Sequence, residues 1–89
     1  MELSVKGTFY RDISAYTNRA LLKTVLEVMH EIEKADSIAK INNIKKLRKY
    51  KNQYRIKLLE GYRIGLIVKK DKVCLVRFGH RNAFYKYFP

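Results

Sequence analysis

Apolar positions along this 89-residue chain recur with two periods, and the change of period separates a helical part from a strand part. Over residues 18–35, Leu22, Val25, Leu26, Met29 and Ile32 fall at three- and four-residue steps. That spacing predicts an amphipathic helix, started by Thr17 or Asn18 as a cap, with the stripe turned to a core. Glu27, Glu31 and Lys34 lie on its opposite, solvated side, and His30 reads as structural. Ahead of it, Phe9, Ile13 and Tyr16 share one face of a brief helix over residues 9–16, which Thr8 can cap. Residues 2–6 form a short strand closed by Gly7. Between 35 and 52, Ile38, Ile41, Ile44 and Leu47 recur at threes, which predicts a helical or 3₁₀ turn anchoring a basic connection.

After residue 53 the period falls to two. Three runs alternate, at Tyr54–Leu58, at Tyr62–Val68 and at Val73–Arg81, and the loops between them fix the faces. With Leu59-Glu60-Gly61 as a three-residue loop and Gly61 left-handed, Lys57 opposes Arg63, Ile56 opposes Ile64 and Arg55 opposes Gly65. A two-residue turn would set Leu58 against Arg63 and mix the faces. With Lys70-Asp71-Lys72 as the second loop, Ile67 opposes Leu75, Gly65 opposes Arg77 and Arg63 opposes Gly79. One face then holds Tyr54, Ile56, Leu58, Ile64, Leu66, Val68, Cys74, Val76 and Phe78, which is a core. The other holds Arg55, Lys57, Arg63, Arg77 and, if the alternation continues, Arg81, with Gly65 and Gly79 leaving room beside them. The expected architecture is α+β: a short N-terminal strand, two helices, then a three-stranded antiparallel meander, forming one domain over residues 1–89.

Charge turns this cationic face into a functional signal. Twenty lysines and arginines against eight acids give a formal net charge of +12. Like charges facing one another across a strand pair are destabilising, so a central strand gains nothing from them unless an anion lies across it. The expected ligand is a phosphate-bearing polymer, either bound or cut. The single cysteine, Cys74, excludes an intrachain disulfide and reads as a small buried hydrophobe. Neither a signal peptide nor a membrane span is visible, so the expected location is cytoplasmic. By the same phasing His80 points to the core side unless a bulge intervenes. It is a candidate general acid only in that case.

The ordered set Tyr54-Arg55-Ile56-Lys57-Leu58, Gly61-Tyr62-Arg63, Gly79-His80-Arg81 and the closing Phe84-Tyr85-Lys86-Tyr87-Phe88 resembles the RelE/ParE superfamily of toxin–antitoxin toxins. The order of elements is similar over nearly the whole chain. The resemblance implies a ribosome-dependent mRNA endoribonuclease of the RelE branch, needing no metal or cofactor, in which the substrate 2′-hydroxyl attacks the adjacent phosphorus. It implies Lys57 as base or phosphate clamp and Arg63 as transition-state cation. Arg81 would assist the leaving group, and Tyr85 would stack on the base being cut, with Tyr87 as the alternative. RNA contact falls to Lys49, Lys51, Arg55, Arg77 and Tyr87, and the implied partners are a cognate antitoxin and mRNA on the ribosome. A lysine crowded by Arg55, Arg63 and Arg77 is expected to lose its proton more easily. A ParE-like gyrase poison and a non-catalytic RNA- or antitoxin-binding module are the other outcomes of the same fold. Intact supercoiling by gyrase in the presence of the protein would remove the first of these.

Overall fold

Helical spacing and strand alternation resolve into eight elements in the computed structural model, which describes residues 1–89. In chain order they are β1 (Glu2–Val5), α1 (Gly7–Ile13), α2 (Arg19–Lys34), β2 (Ile44–Lys46), β3 (Gln53–Lys57), β4 (Tyr62–Lys69), β5 (Lys72–His80) and α3 (Arg81–Tyr87). The strands form one sheet in the order β1-β5-β4-β3-β2. The expected meander is its centre. β1 runs parallel to β5 at one edge, and β2 pairs antiparallel with β3 at the other. The sheet therefore has five strands where alternation showed three plus a short N-terminal one. β2 lies inside the stretch expected to turn, where only Ile38–Lys40 is a 3₁₀ helix.

Helices α1 and α2 cover one face of the sheet. Thirteen buried side chains form a single cluster between them, among them Phe9, Val25, Ile32, Ile56, Ile64, Leu66, Leu75 and Phe78. Asn18 caps α2, its side chain accepting from the Leu21 amide at 3.1 Å. The core stripe of α2 is rotated from the expected one: Leu21, Val25 and Ile32 are buried, whereas Leu26 is 57% exposed. Leu22, Leu26 and Met29 instead line an apolar groove with Phe9, Tyr10 and Ile13 of α1. His30 projects into solvent, 3.8 Å from Glu33. Glu31 reaches sideways and accepts from the Asn42 amide at 2.6 Å, which ties the basic connection to α2.

The first hairpin has the expected register, Lys57 against Arg63, Ile56 against Ile64 and Arg55 against Gly65. Its turn holds both Glu60 (φ 58°) and Gly61 (φ 85°) left-handed. The second hairpin starts as expected, with Arg63 against Gly79 and Gly65 against Arg77, and then slips by one. Its turn is two residues long and Val76 is an extra residue on β5, a bulge that sets Leu66 against Leu75 and Ile67 against Cys74. The slip reverses the faces beyond it. Val73 and Leu75 enter the core, while Cys74 and Val76, expected there, are half-buried.

β1 stops pairing at Val5–Leu75, which leaves the second half of β5 as an open edge. The start of α1 fills it. The Lys6 amide donates to the Leu75 carbonyl at 2.8 Å and the Thr8 hydroxyl to the Val76 carbonyl at 2.6 Å, while the Phe78 amide donates to the Asp12 carboxylate at 3.0 Å. Such edge groups otherwise invite pairing with another chain. Thr8 thus serves the sheet and caps nothing, and α1 begins after Lys6 without a side-chain cap.

Alternation ends at His80. Its imidazole accepts from the Asn82 amide at 3.3 Å and starts α3, so Arg81 is the first residue of a helix and no longer a strand position. Phe84 (0% exposed) and Phe88 (3%) are buried but stand outside the core cluster. They pack α3 and its end on the face opposite α1 and α2.

Candidate nucleic-acid interface

The sheet face opposite α1 and α2, open except where α3 and the residues after it lie on it, carries two cross-strand rows. Residues paired across strands point the same way, so Lys45, Arg55, Gly65 and Arg77 form one row, and Lys57, Arg63 and Gly79 the next. Lys45 was not visible as a member because β2 was not. Its signal is Ile44 paired with Ile56 in the core, which turns the following residue outward.

Arg63 sits in the middle of the second row and is 9% exposed. One guanidinium nitrogen donates to the carbonyl of Tyr62 at 3.1 Å, Nε has no partner, and no carboxylate lies within ion-pair distance. A buried cation without an anion is unfavourable by several kcal/mol, so this position favours binding a negative group. Lys57 beside it is exposed. Arg55 is half-buried, its Nη1 donating to the Asn43 carbonyl at 3.1 Å, and Asn43 is held left-handed at φ 63°.

Arg77 differs from the other cations. Its Nε and Nη2 donate to the two oxygens of Asp12 at 2.7 and 3.1 Å, and its guanidinium carbon lies 4.0 Å from the centre of the Tyr87 ring. The hydrogen bonds to Asp12 hold its pKa above the ordinary arginine value. In the free protein Arg77 does not offer the unpaired charge expected for an RNA contact: the charge is paired with Asp12 and its flat face lies on the Tyr87 ring. The crowding expected around Lys57 is smaller by the same pairing.

The two glycine gaps are also occupied. A Cβ at Gly65 would lie 2.7 Å from the Phe88 ring, and one at Gly79 would collide with the Tyr87 hydroxyl. The close approach that these glycines permit is made by the chain's own aromatic residues and not by a ligand. Tyr87 donates to the Phe78 carbonyl at 3.3 Å, and burial raises its pKa, which keeps it protonated as a donor. It is half-buried in this stack, away from the open position expected of an RNA contact.

Arg81 and Tyr85 are four residues apart on α3 and so share a helical face, both exposed, Tyr85 at 50%. The Arg81 stem lies 3.4 Å from the place a Cβ of Gly61 would occupy, which brings it to the β3–β4 turn next to the Lys57–Arg63 pair. Lys49 and Lys51 are exposed in the β2–β3 connection, with Lys49 left-handed at φ 69°.

His80 is absent from this face. It packs edge-on to Tyr62 at 5.3 Å on the helix-covered side, where Tyr62 stacks on Phe78 at 5.6 Å. Its Nδ1 accepts from the Asn82 amide and so caps α3, while Nε2 lies at the Gly61 turn, 2.9 Å from the place a Cβ there would occupy. No helix is long and apolar enough to cross a membrane.

No protein-family model matches the chain. The toxin RelE3 of Methanocaldococcus jannaschii is 31% identical to it over 90 residues, covering all of both chains. The RelB–RelE antitoxin–toxin complex from Methanococcus jannaschii contains a chain with TM-score 0.80 and 30% identity, covering 97% of this chain and 99% of that one. The isolated Escherichia coli RelE toxin shares the fold at TM-score 0.64 and 21% identity, over 89% of this chain and 82% of its own. The RelE–RelB complex from Pyrococcus horikoshii does so at TM-score 0.70 and 15% identity, over 90% and 93%. Full-length identity to a named toxin, a shared fold and a cationic sheet face agree, and the chain belongs to the RelE family of toxin–antitoxin toxins.

Proposed function

We propose that the chain is an mRNA endoribonuclease that cuts on the ribosome by attack of the substrate's own 2′-hydroxyl. The observation that carries this reading is Arg63, a buried guanidinium with an unpartnered Nε and no anion, flanked by Lys57, with the Arg81 stem at the neighbouring β3–β4 turn. A scissile phosphate supplies the missing charge. Lys57 takes the 2′-hydroxyl proton or clamps the phosphate. The new 2′-oxygen–phosphorus bond forms as the bond to the 5′-oxygen breaks, leaving a 2′,3′-cyclic phosphate and a 5′-hydroxyl. Arg63 stabilises the charge that grows on the phosphorane oxygens, and Arg81 the charge on the departing 5′-oxygen, which takes its proton from water. Tyr85, half exposed beside Arg81, stacks on the adjacent base. Lys45, Arg55, Lys49 and Lys51 extend the cationic track for the rest of the strand. The scheme uses no metal.

The same reading supplies a protein partner in the cytoplasm, an antitoxin whose acidic side chains neutralise this face, as befits a relative of chains solved in complexes with RelB. Mapping mRNA ends after brief induction tests the reaction. Codon-phased cuts with 5′-hydroxyl ends are expected, and growth arrest without them would refute it.

A further inference from the structure

Eight acids serve twenty basic side chains in this protein, yet only Asp12 makes ion-pair contact with an arginine. It is 12% exposed, lies on α1, and reaches round the open edge of β5 to three donors, two on Arg77 and the amide of Phe78. Arg77 in turn carries the Tyr87 ring, and Tyr87 covers Gly79 and bonds the Phe78 carbonyl. Helix α3 is therefore fixed at two ends. His80 holds its start, and the Tyr87–Phe88 pair holds its finish in the sockets above Gly79 and Gly65. With both ends fixed the outward face carrying Arg81 and Tyr85 has one orientation.

We propose that Asp12 is a positioning residue, which fixes Arg77 as the pedestal for Tyr87 and through it sets α3 on the open sheet face. The consequence for cleavage, correct placement of Arg81 and Tyr85, rests on the nuclease reading above; the docking itself does not. Without the carboxylate, Arg77 faces Arg55 and Arg63 uncompensated and swings out toward solvent or a bound phosphate, and Tyr87 loses its support. The negative charge on Asp12 also removes one cation from those competing for RNA, which confines phosphate to the Lys57–Arg63 side.

Asp12→Asn keeps the shape and an acceptor for the Phe78 amide while removing the charge. Hydrogen exchange of the wild type and this variant is the first measurement. Amides of residues 84–88 are expected to lose protection while those of β3–β5 keep theirs; retained protection at 84–88 overturns the proposal. Tyr87→Leu, which leaves the ion pair intact, is expected to give the same local loss, and a protected α3 there overturns the pedestal. In cleavage of RNA on ribosomes, Asp12→Asn is expected to lower kcat about 10²-fold through misplacement of Arg81 and Tyr85. Free RNA is expected to keep about the same salt slope, the freed Arg77 replacing the displaced Arg81 as a phosphate contact. A merely structural role for Asp12 would lower protection throughout β3–β5 as well as at residues 84–88, and that result would also overturn the proposal. If the wild type cleaves nothing, the nuclease reading fails while exchange still decides the docking.

Discussion

At the scale of single residues, Arg63 separates function from stability. Its guanidinium lacks an anion in the free protein, so removing its charge relieves an unfavourable burial. Arg63→Met retains most of the buried stem, and the variant is expected to match the wild type in stability or exceed it by about 1 kcal/mol. Cleavage is expected to fall by about 10²-fold or more. Denaturant unfolding and ribosomal cleavage of the same preparation check both halves; a destabilised variant would mean that Arg63 is structural. Two phenols add a pH dependence. Burial raises the pKa of Tyr16, which packs edge-on against Tyr62 and Phe78, and that of Tyr87 in its stack. The folded protein therefore holds these protons more tightly than the unfolded chain. Their contribution is complete below about pH 10, the unfolded value, and is lost as the pH climbs through the higher folded values. Unfolding midpoints measured across this alkaline range are expected to fall, and less steeply in Tyr16→Phe and Tyr87→Phe.

At the scale of elements, the sockets in the sheet make a sharp contrast between glycines. Gly79→Ala puts a methyl where the Tyr87 hydroxyl sits, and the resulting overpacking is expected to cost about 1–3 kcal/mol. Gly7→Ala meets nothing within 4 Å on the first turn of α1 and is expected to be neutral or to stabilise by up to about 1 kcal/mol. Equal thermal unfolding of the two variants would mean that α3 is not seated where the geometry puts it. These elements also mark how far the sequence could be read. The β3–β4 register was legible because the glycine turn and the alternation agree, and with it came the Lys57–Arg63 pair at the heart of the site. The slip at Val76 was not, because a bulge trades one apolar alternation for another: Cys74 and Val76 are as hydrophobic as Val73 and Leu75, which took their places. β2 is three residues long, too short for a period, and Lys45 was lost with it. Helix α3 was hidden by its own aromatic density, since Phe84 and Phe88 read equally as strand. The Asp12–Arg77 pair spans 65 residues and joins a helix to a strand edge, a contact that no local pattern encodes.

At the scale of the whole molecule, a charge of +12 acts on stability and on binding in opposite directions with salt. Without a ligand the cations repel one another, and added salt screens that repulsion, so the free protein is expected to unfold at a higher temperature as ionic strength rises. Binding to RNA runs the other way, because each phosphate contact releases condensed counterions that salt forces back. The number of contacts follows from the geometry. Arg77 is withdrawn by Asp12 and Lys45 is added by β2, so the face presents Lys45, Arg55, Lys57, Arg63 and Arg81. Five contacts on a single strand give a log–log slope of about −3.5, which Lys49 and Lys51 steepen to about −4.9 where the strand also follows the β2–β3 connection. A titration of single-stranded RNA over a series of salt concentrations measures it directly. A nearly flat slope would show that these five side chains do not meet phosphate together. In an Arg81→Gln background the slope should fall by about a further 0.7 for Lys45→Gln and stay unchanged for Arg77→Gln, because Arg77 has already spent its charge on Asp12. An equal loss in both variants would place phosphate on Arg77, and the division of the sheet face into a paired and an unpaired half would have to be abandoned.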